Sequence, residues 1–225
     1  VNELIAYCGP AAVPEYVWLR WNTDPVLIAA LAALAFWVTR RAANPRAGWA
    51  AIVLMALVFI SPLCALSSAL FSVRVLHHVI LVSAAAPLLA LAFPQRRAGV
   101  VPLALLVAAH AVALWVWHAP GPYSWGLATV PGYWLMQLTL LGSAWWMWRA
   151  ILANTTPNGS ALVALAVTVG QMGLLGALIV FASGPLYPVH FASTLEWGFT
   201  PLSDQQLAGL LMWVPAMLPY LATGL

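Results

Sequence analysis

An arginine and two adjacent histidines, Arg74, His77 and His78, open the stretch Phe71 to Pro87, which is otherwise apolar enough to enter a bilayer. Ionisable groups carried into hydrocarbon are costly and mark functional sites, so chemistry is expected here. Imidazole suits copper, zinc and iron, while thiolate or thioether sulfur favours copper(I). Further imidazoles stand at His118 and His190, acids at Glu196 and Asp204, and sulfur at Cys64, Met136, Met172 and Met212. The expected metal site draws on His77 or His78, His118, His190 and Asp204, with Glu196 a further candidate, Asp204 either a ligand or the group that orients one, and Cys64 and the methionines as available sulfur. A haem site competes with it: His78 or His77, together with His118, supplies two axial ligands from different helices.

Neighbouring residues on a helix point about 100 degrees apart, so His77 and His78 do not both face one small site. Arg74, three and four residues before them, shares their face. It is expected to pair with Asp204, Glu196 or an anionic ligand, or more plainly to reach up to the headgroups. Arg74 and His77 are therefore assigned to cofactor binding beside the metal set. The chain has no HExxH helix and no nucleophile motif, so a hydrolase is set aside and the reading is non-enzymatic.

Helices must position these groups. The 225 residues are 64% hydrophobic and 6% charged, with a mean hydropathy of +0.95, whereas soluble domains carry roughly 25% charged residues. The apolar runs predict an all-α, polytopic membrane bundle of about seven helices. Their expected ranges are 24–39, 48–70, 75–93, 100–118, 133–152, 160–182 and 205–222, forming one transmembrane domain over 24–225 after an extracytoplasmic segment, 1–23. Asp24-Pro25 reads as an N-cap with proline at the first helical position. Ser61-Pro62 should kink the second helix, and Ala119-Pro120-Gly121-Pro122 should end the fourth. Gly170, Gly173 and Gly176 form a small-residue stripe suited to close helix packing.

Charge sets the expected orientation. Arg40, Arg41, Arg46, Arg96, Arg97 and Arg149 fall at alternate helix ends, which the positive-inside rule makes cytoplasmic; the N-terminus is then outside and the C-terminus inside. All five acids, Glu3, Glu15, Asp24, Glu196 and Asp204, fall on the opposite side, as do four of the five histidines. His110 alone lies deeper, about 12 Å along its helix from His118. The net charge of +3 is too small for a nucleic-acid surface. Cys8 and Cys64 can pair only if both face an oxidising compartment, which their spacing leaves open.

Several strings together resemble a known family. They are Ser61-Pro62-Leu63, the Phe71-to-Pro87 segment, Trp117-His118-Ala119-Pro120 with Tyr123, Gln171-Met172-Gly173-Leu174-Leu175-Gly176-Ala177, Pro185-Leu186-Tyr187, Trp197-Gly198, and Pro201-Leu202-Ser203-Asp204-Gln205-Gln206 continuing to Met212-Trp213-Val214-Pro215. From Trp21 onward the chain is similar to the CtaG-type cytochrome c oxidase assembly factors of bacteria, and the Asp-Gln-Gln to Met-Trp segment is the most specific part. The resemblance implies a multi-pass plasma-membrane protein in respiratory-chain biogenesis that handles copper at its outer, periplasmic face. It also implies a cytochrome c oxidase subunit or another copper chaperone as partner. The family pattern often places two histidines one turn apart where this chain has Arg74 and His78, so the resemblance implies His78, His118, His190 and Asp204 as the metal set, with Cys64 and Met212 as soft ligands. The expected function is a metallochaperone that binds copper(I) transiently, at exposed and incompletely saturated ligands. A haem-binding respiratory subunit and a non-catalytic membrane scaffold for oxidase subunits stand as alternatives.

Overall fold

Aspartate before proline starts the first helix as the sequence predicts: the Asp24 carboxylate accepts from the Val26 amide at 2.8 Å, and α1 runs Pro25–Arg41. The computed structural model describes residues 7–97 and 99–224. Those residues are 76% helical and contain no strand. Glu3 and the rest of 1–6, part of the expected extracytoplasmic segment, lie outside the described residues.

The second apolar stretch is broken where proline was expected to break it. α2 (Pro45–Phe59) and α3 (Leu63–Ala69) meet at 48° across Ser61-Pro62, and the Ser61 hydroxyl bonds back to the Leu57 carbonyl freed there. α4 (Phe71–Val79), a π-helical turn (Ile80–Ala85) and α5 (Ala86–Ala92) then form one continuous rod. Pro87 has no N–H to return to Val82 in the π register. The indole of Trp148 donates to that carbonyl instead, at 3.0 Å.

α6 (Leu103–His118) does not simply end at Ala119. It bends by 77° into α7 (Pro120–Ala128), because Pro120 and Pro122 sit in the first turn of a new helix, where a missing N–H is harmless. α8 (Val130–Ile151), α9 (Asn158–Val180) and α10 (Pro201–Gly224) complete the bundle. Among the described residues three helices are long and apolar enough to cross a membrane: the Phe71–Ala92 rod, α9 and α10. Counting each bent pair as one span raises the number to five, against the seven expected. α1 has 17 residues, and the tryptophans, Tyr133 and Gln137 of the 22-residue α8 dilute its apolar character. The protein is therefore a helical membrane protein, with three to five candidate spans among its described residues by length and composition.

α9 and α10 pack backbone to backbone. A Cβ on Gly209 would lie 2.6 Å from the Gly176 carbonyl oxygen, and one on Gly176 would lie 2.9 Å from that of Gly209. Neither contact tolerates a side chain. Of the predicted stripe, Gly173 faces Trp213 and Gly170 meets nothing within reach.

Cys8 and Cys64 form a disulfide with Cα atoms 5.3 Å apart, tying the N-terminal segment to α3. The Trp197 indole donates to the Ala12 carbonyl at 2.9 Å, so the same segment also holds the loop between α9 and α10. Closing a loop of 56 residues corresponds to about 4 kcal/mol of lost chain entropy in the unfolded state. Replacing both cysteines by serine should lower the midpoint of thermal unfolding in detergent and open residues 9–23 to limited proteolysis. Cys64, expected as a soft metal ligand, is instead half of this bridge, so its sulfur is not a free thiolate.

Candidate functional site

The site begins with how α4 is anchored. A helix start buried in a bundle has backbone N–H groups that need acceptors. Here they come from another helix: Asp204 on α10 accepts from the Phe71 amide at 2.7 Å, the Ser72 amide at 3.2 Å and the Ser72 hydroxyl. Asp204 is held in turn by a reciprocal cap at the start of α10, where the Thr200 amide donates to the Ser203 hydroxyl at 2.9 Å and the Ser203 amide to the Thr200 hydroxyl at 3.1 Å. The next residue, Gln205, donates to the Ile179 carbonyl at 3.0 Å and accepts from the Leu186 amide at 2.6 Å. One dipeptide, Asp204-Gln205, thus fixes α4, the end of α9 and the following loop against α10.

From that anchor α4 carries its three ionisable groups inward. The His77 ring meets Phe59 of α2 edge-on, with centroids 4.9 Å apart. The His78 ring faces the other way, edge-on to His118 at 5.5 Å, with its Nε2 3.3 Å from the amide nitrogen of Gln137 on α8. The two rings diverge as their spacing dictates. His118 is the last residue of α6; its Nδ1 donates to the Leu114 carbonyl at 2.7 Å, so its lone pair is on Nε2, which has no protein partner. His78 Nδ1 is also free of protein partners.

His190 does not join this pair. Its Nε2 lies 2.6 Å from the Tyr123 hydroxyl of α7. Burial, reinforced by the Arg74 charge, pushes its pKa down to about 3, so the ring is neutral. Tyr187, in the same loop, stacks on Phe71 with centroids 3.7 Å apart and donates to the His118 carbonyl at 2.7 Å. This loop therefore closes over the histidines.

Arg74 is fully buried, at 0% exposure. Its guanidinium stands 5.2 Å from the Tyr133 ring centre, and none of its three nitrogens has a hydrogen-bond acceptor. The Tyr123 and Tyr133 hydroxyls face it without reaching hydrogen-bond geometry. Two expectations for Arg74 are corrected here. It does not reach up to headgroups, because the loop and α7 cover it. It does not pair with Asp204 or Glu196, because the Asp204 oxygens are taken by α4 and Glu196 is exposed in the loop.

The other candidates fall outside the pair. Cys64 is in the disulfide. Met212 is buried on α10, two turns and about 12 Å beyond Asp204. His110 is paired with the Ser143 hydroxyl at 3.0 Å. Among the described residues no three His, Cys, Asp or Glu side chains are grouped to hold one metal ion. Of the six expected ligands, then, the fold brings His78 and His118 ring to ring and sends the rest elsewhere. The expectation of an exposed site is corrected too: His78 is 1% and His118 3% exposed. Their depth follows from the 77° bend after His118, which folds α7 over the end of α6.

Two polar residues at this site were not singled out from the sequence. Gln137 and Tyr133 sit within an apolar helix, and a buried amide there is costly without a partner, a signal that could have marked it. Tyr123 and Tyr187 carried no such signal outside the motif strings.

A family model described as cytochrome c oxidase caa3 assembly factor (Caa3_CtaG) matches residues 40–225. No curated protein and no solved structure matches the chain.

Proposed function

The chain belongs to the cytochrome c oxidase caa3 assembly factor family, and on that premise we propose that it holds a copper(I) ion transiently between His78 and His118 for delivery to an oxidase subunit. The observation that carries this reading is the edge-to-face pair itself, 5.5 Å between centroids, with one nitrogen on each ring lacking a protein partner. Imidazole nitrogen suits copper, and two ligands leave coordination open for a receiving group. With its amide turned so that Oε1 accepts from His78 Nε2–H, Gln137 leaves the His78 lone pair on Nδ1, and the Leu114 carbonyl fixes the tautomer of His118, the supporting contacts that metal-binding imidazoles require. When bound, the ion would supply only itself, as cargo; the role is non-catalytic.

The histidine end is taken to face outward across a bacterial plasma membrane. In support, six arginines lie at the other helix ends, and the disulfide on the histidine side suits an oxidising compartment. Because both rings are buried, delivery requires the Tyr187–His190 loop to lift away from Phe71 and His118. Arg74 places a positive charge one turn from His78, which opposes retention of a cation and suits a short residence.

The test is metal analysis of the purified protein after copper(I) loading. His78→Ala together with His118→Ala should abolish bound copper, and His190→Ala should leave it in place. Unchanged stoichiometry in the double variant would overturn the reading. A visible spectrum of the same samples decides the haem alternative: a Soret band lost with His118→Ala would replace copper by haem.

A further inference from the structure

At the end of the bundle opposite the histidines, four arginines close around one cavity of about 660 Å3. Arg40 and Arg41 come from the last turn of α1, Arg96 from the segment after α5, and Arg149 from the last turn of α8. The described acids stand elsewhere: Glu15 and Asp24 precede α1, Glu196 lies in the loop before α10, and Asp204 in the first turn of α10. The cup therefore concentrates positive charge without a carboxylate of its own. Arg149 shows this most clearly, since its guanidinium stacks 4.9 Å from the Trp145 ring centre while its buried Nε has no hydrogen-bond partner.

The cup is not purely polar. Trp37 and Phe93, stacked at 4.3 Å, and Trp145 form one wall. The same three side chains also bound a second cavity of about 250 Å3, lined by Leu34, Leu89, Leu138 and Leu141. A charged cup at the aromatic level thus adjoins, across these rings, a hydrocarbon-lined groove. An acidic peptide would satisfy the arginines but has no use for the groove, and inorganic phosphate has none either.

We propose that this cup and groove form a binding site for an anionic phospholipid, with phosphodiester oxygens bound by Arg40, Arg41, Arg96 and Arg149 and an acyl chain in the groove beneath Trp145. Guanidinium groups pair bidentately with phosphate oxygens, and basic pockets between membrane helices recognise such headgroups. Four guanidinium groups match a headgroup with two phosphodiesters, so diphosphatidylglycerol is the fitting member of the class.

The experiment titrates diphosphatidylglycerol into the full chain in phosphatidylcholine nanodiscs, reading tryptophan fluorescence and lipid retained in native mass spectra. Arg40→Gln with Arg149→Gln should weaken binding about 30-fold, at about fivefold per arginine. Arg46→Gln, outside the cup, should bind as wild type. Leu138→Trp, which fills the groove, should weaken the lipid and leave inorganic phosphate binding unchanged. Binding by the double variant within twofold of wild type would overturn the proposal. So would inorganic phosphate that displaces the lipid at equal concentration, or an acidic peptide that binds as tightly and ignores Leu138→Trp. Unfolding midpoints in pure phosphatidylcholine, expected to match wild type, show that each variant is folded.

Discussion

Replacing Arg74 by leucine is expected to raise the copper(I) affinity of the histidine pair about 100-fold and to raise thermal stability at the same time. A unit charge one helical turn away, about 6 Å, costs a bound cation about 3 kcal/mol at an effective dielectric constant near 20. Removing it returns that amount, which is the hundredfold. Stability rises because a buried guanidinium whose nitrogens find no acceptors is expensive to fold around, while leucine fills much of the same space with apolar atoms. Arg74→His tests the added ligand separately: it removes the same charge and places an imidazole four residues before His78, on the same helical face. Competition with a copper(I) chelator gives both affinities. Leucine and arginine proteins of equal affinity would show that the charge does not act on the ion. The expected physiological counterpart is slower transfer: a variant that binds more tightly should mature less oxidase in cells.

Asp204→Ala should destabilise the protein by about 3 kcal/mol without touching a metal ligand. Two buried amides, of Phe71 and Ser72, and the Ser72 hydroxyl lose their acceptor, and each unmade buried hydrogen bond costs about 1–3 kcal/mol. Asp204→Asn keeps one acceptor oxygen and should lose roughly half as much. Thermal unfolding measures the cost, and hydrogen exchange at Phe71 and Ser72 locates it at the start of α4. Copper stoichiometry in Asp204→Asn should equal that of wild type. A folded Asn variant without copper would make the carboxylate a ligand after all. Asp204→Ala should also loosen the histidine pair, because α4 carries His78 about 9 Å from the capped end. In that variant weaker copper binding should follow stability, and low temperature should restore it.

Much of this molecule is legible from residue order. Asp24-Pro25, Ser61-Pro62 and the paired prolines after His118 mark helix starts and bends through local backbone chemistry, and each acts where it stands. Arg40, Arg41, Arg96 and Arg149, expected at one set of helix ends, do come together around one cavity, because a helix end carries its flanking residues to one side whatever its neighbours do. The all-helical membrane character is legible in composition, and among the described residues three to five candidate spans meet length and composition; α3, α5 and α7 are too short to cross alone and join their neighbours.

Spacing alone also fixed that His77 and His78 diverge, since adjacent helical residues differ by about 100 degrees. Which of the two meets another histidine was decided only in three dimensions, by Phe59 on one flank and by His118 and Gln137 on the other. Asp204, expected near the metal, became the cap of a helix that starts 133 residues earlier in the chain, and Cys64 became half of a disulfide. Arg74, expected to find an anion or the headgroups, ended buried under α7 and the loop carrying Tyr187. Composition and order determine which groups lie at each end of the bundle, because that is a property of single helices. The partner each group meets depends on contacts between helices distant in sequence, and only the packed bundle decides them.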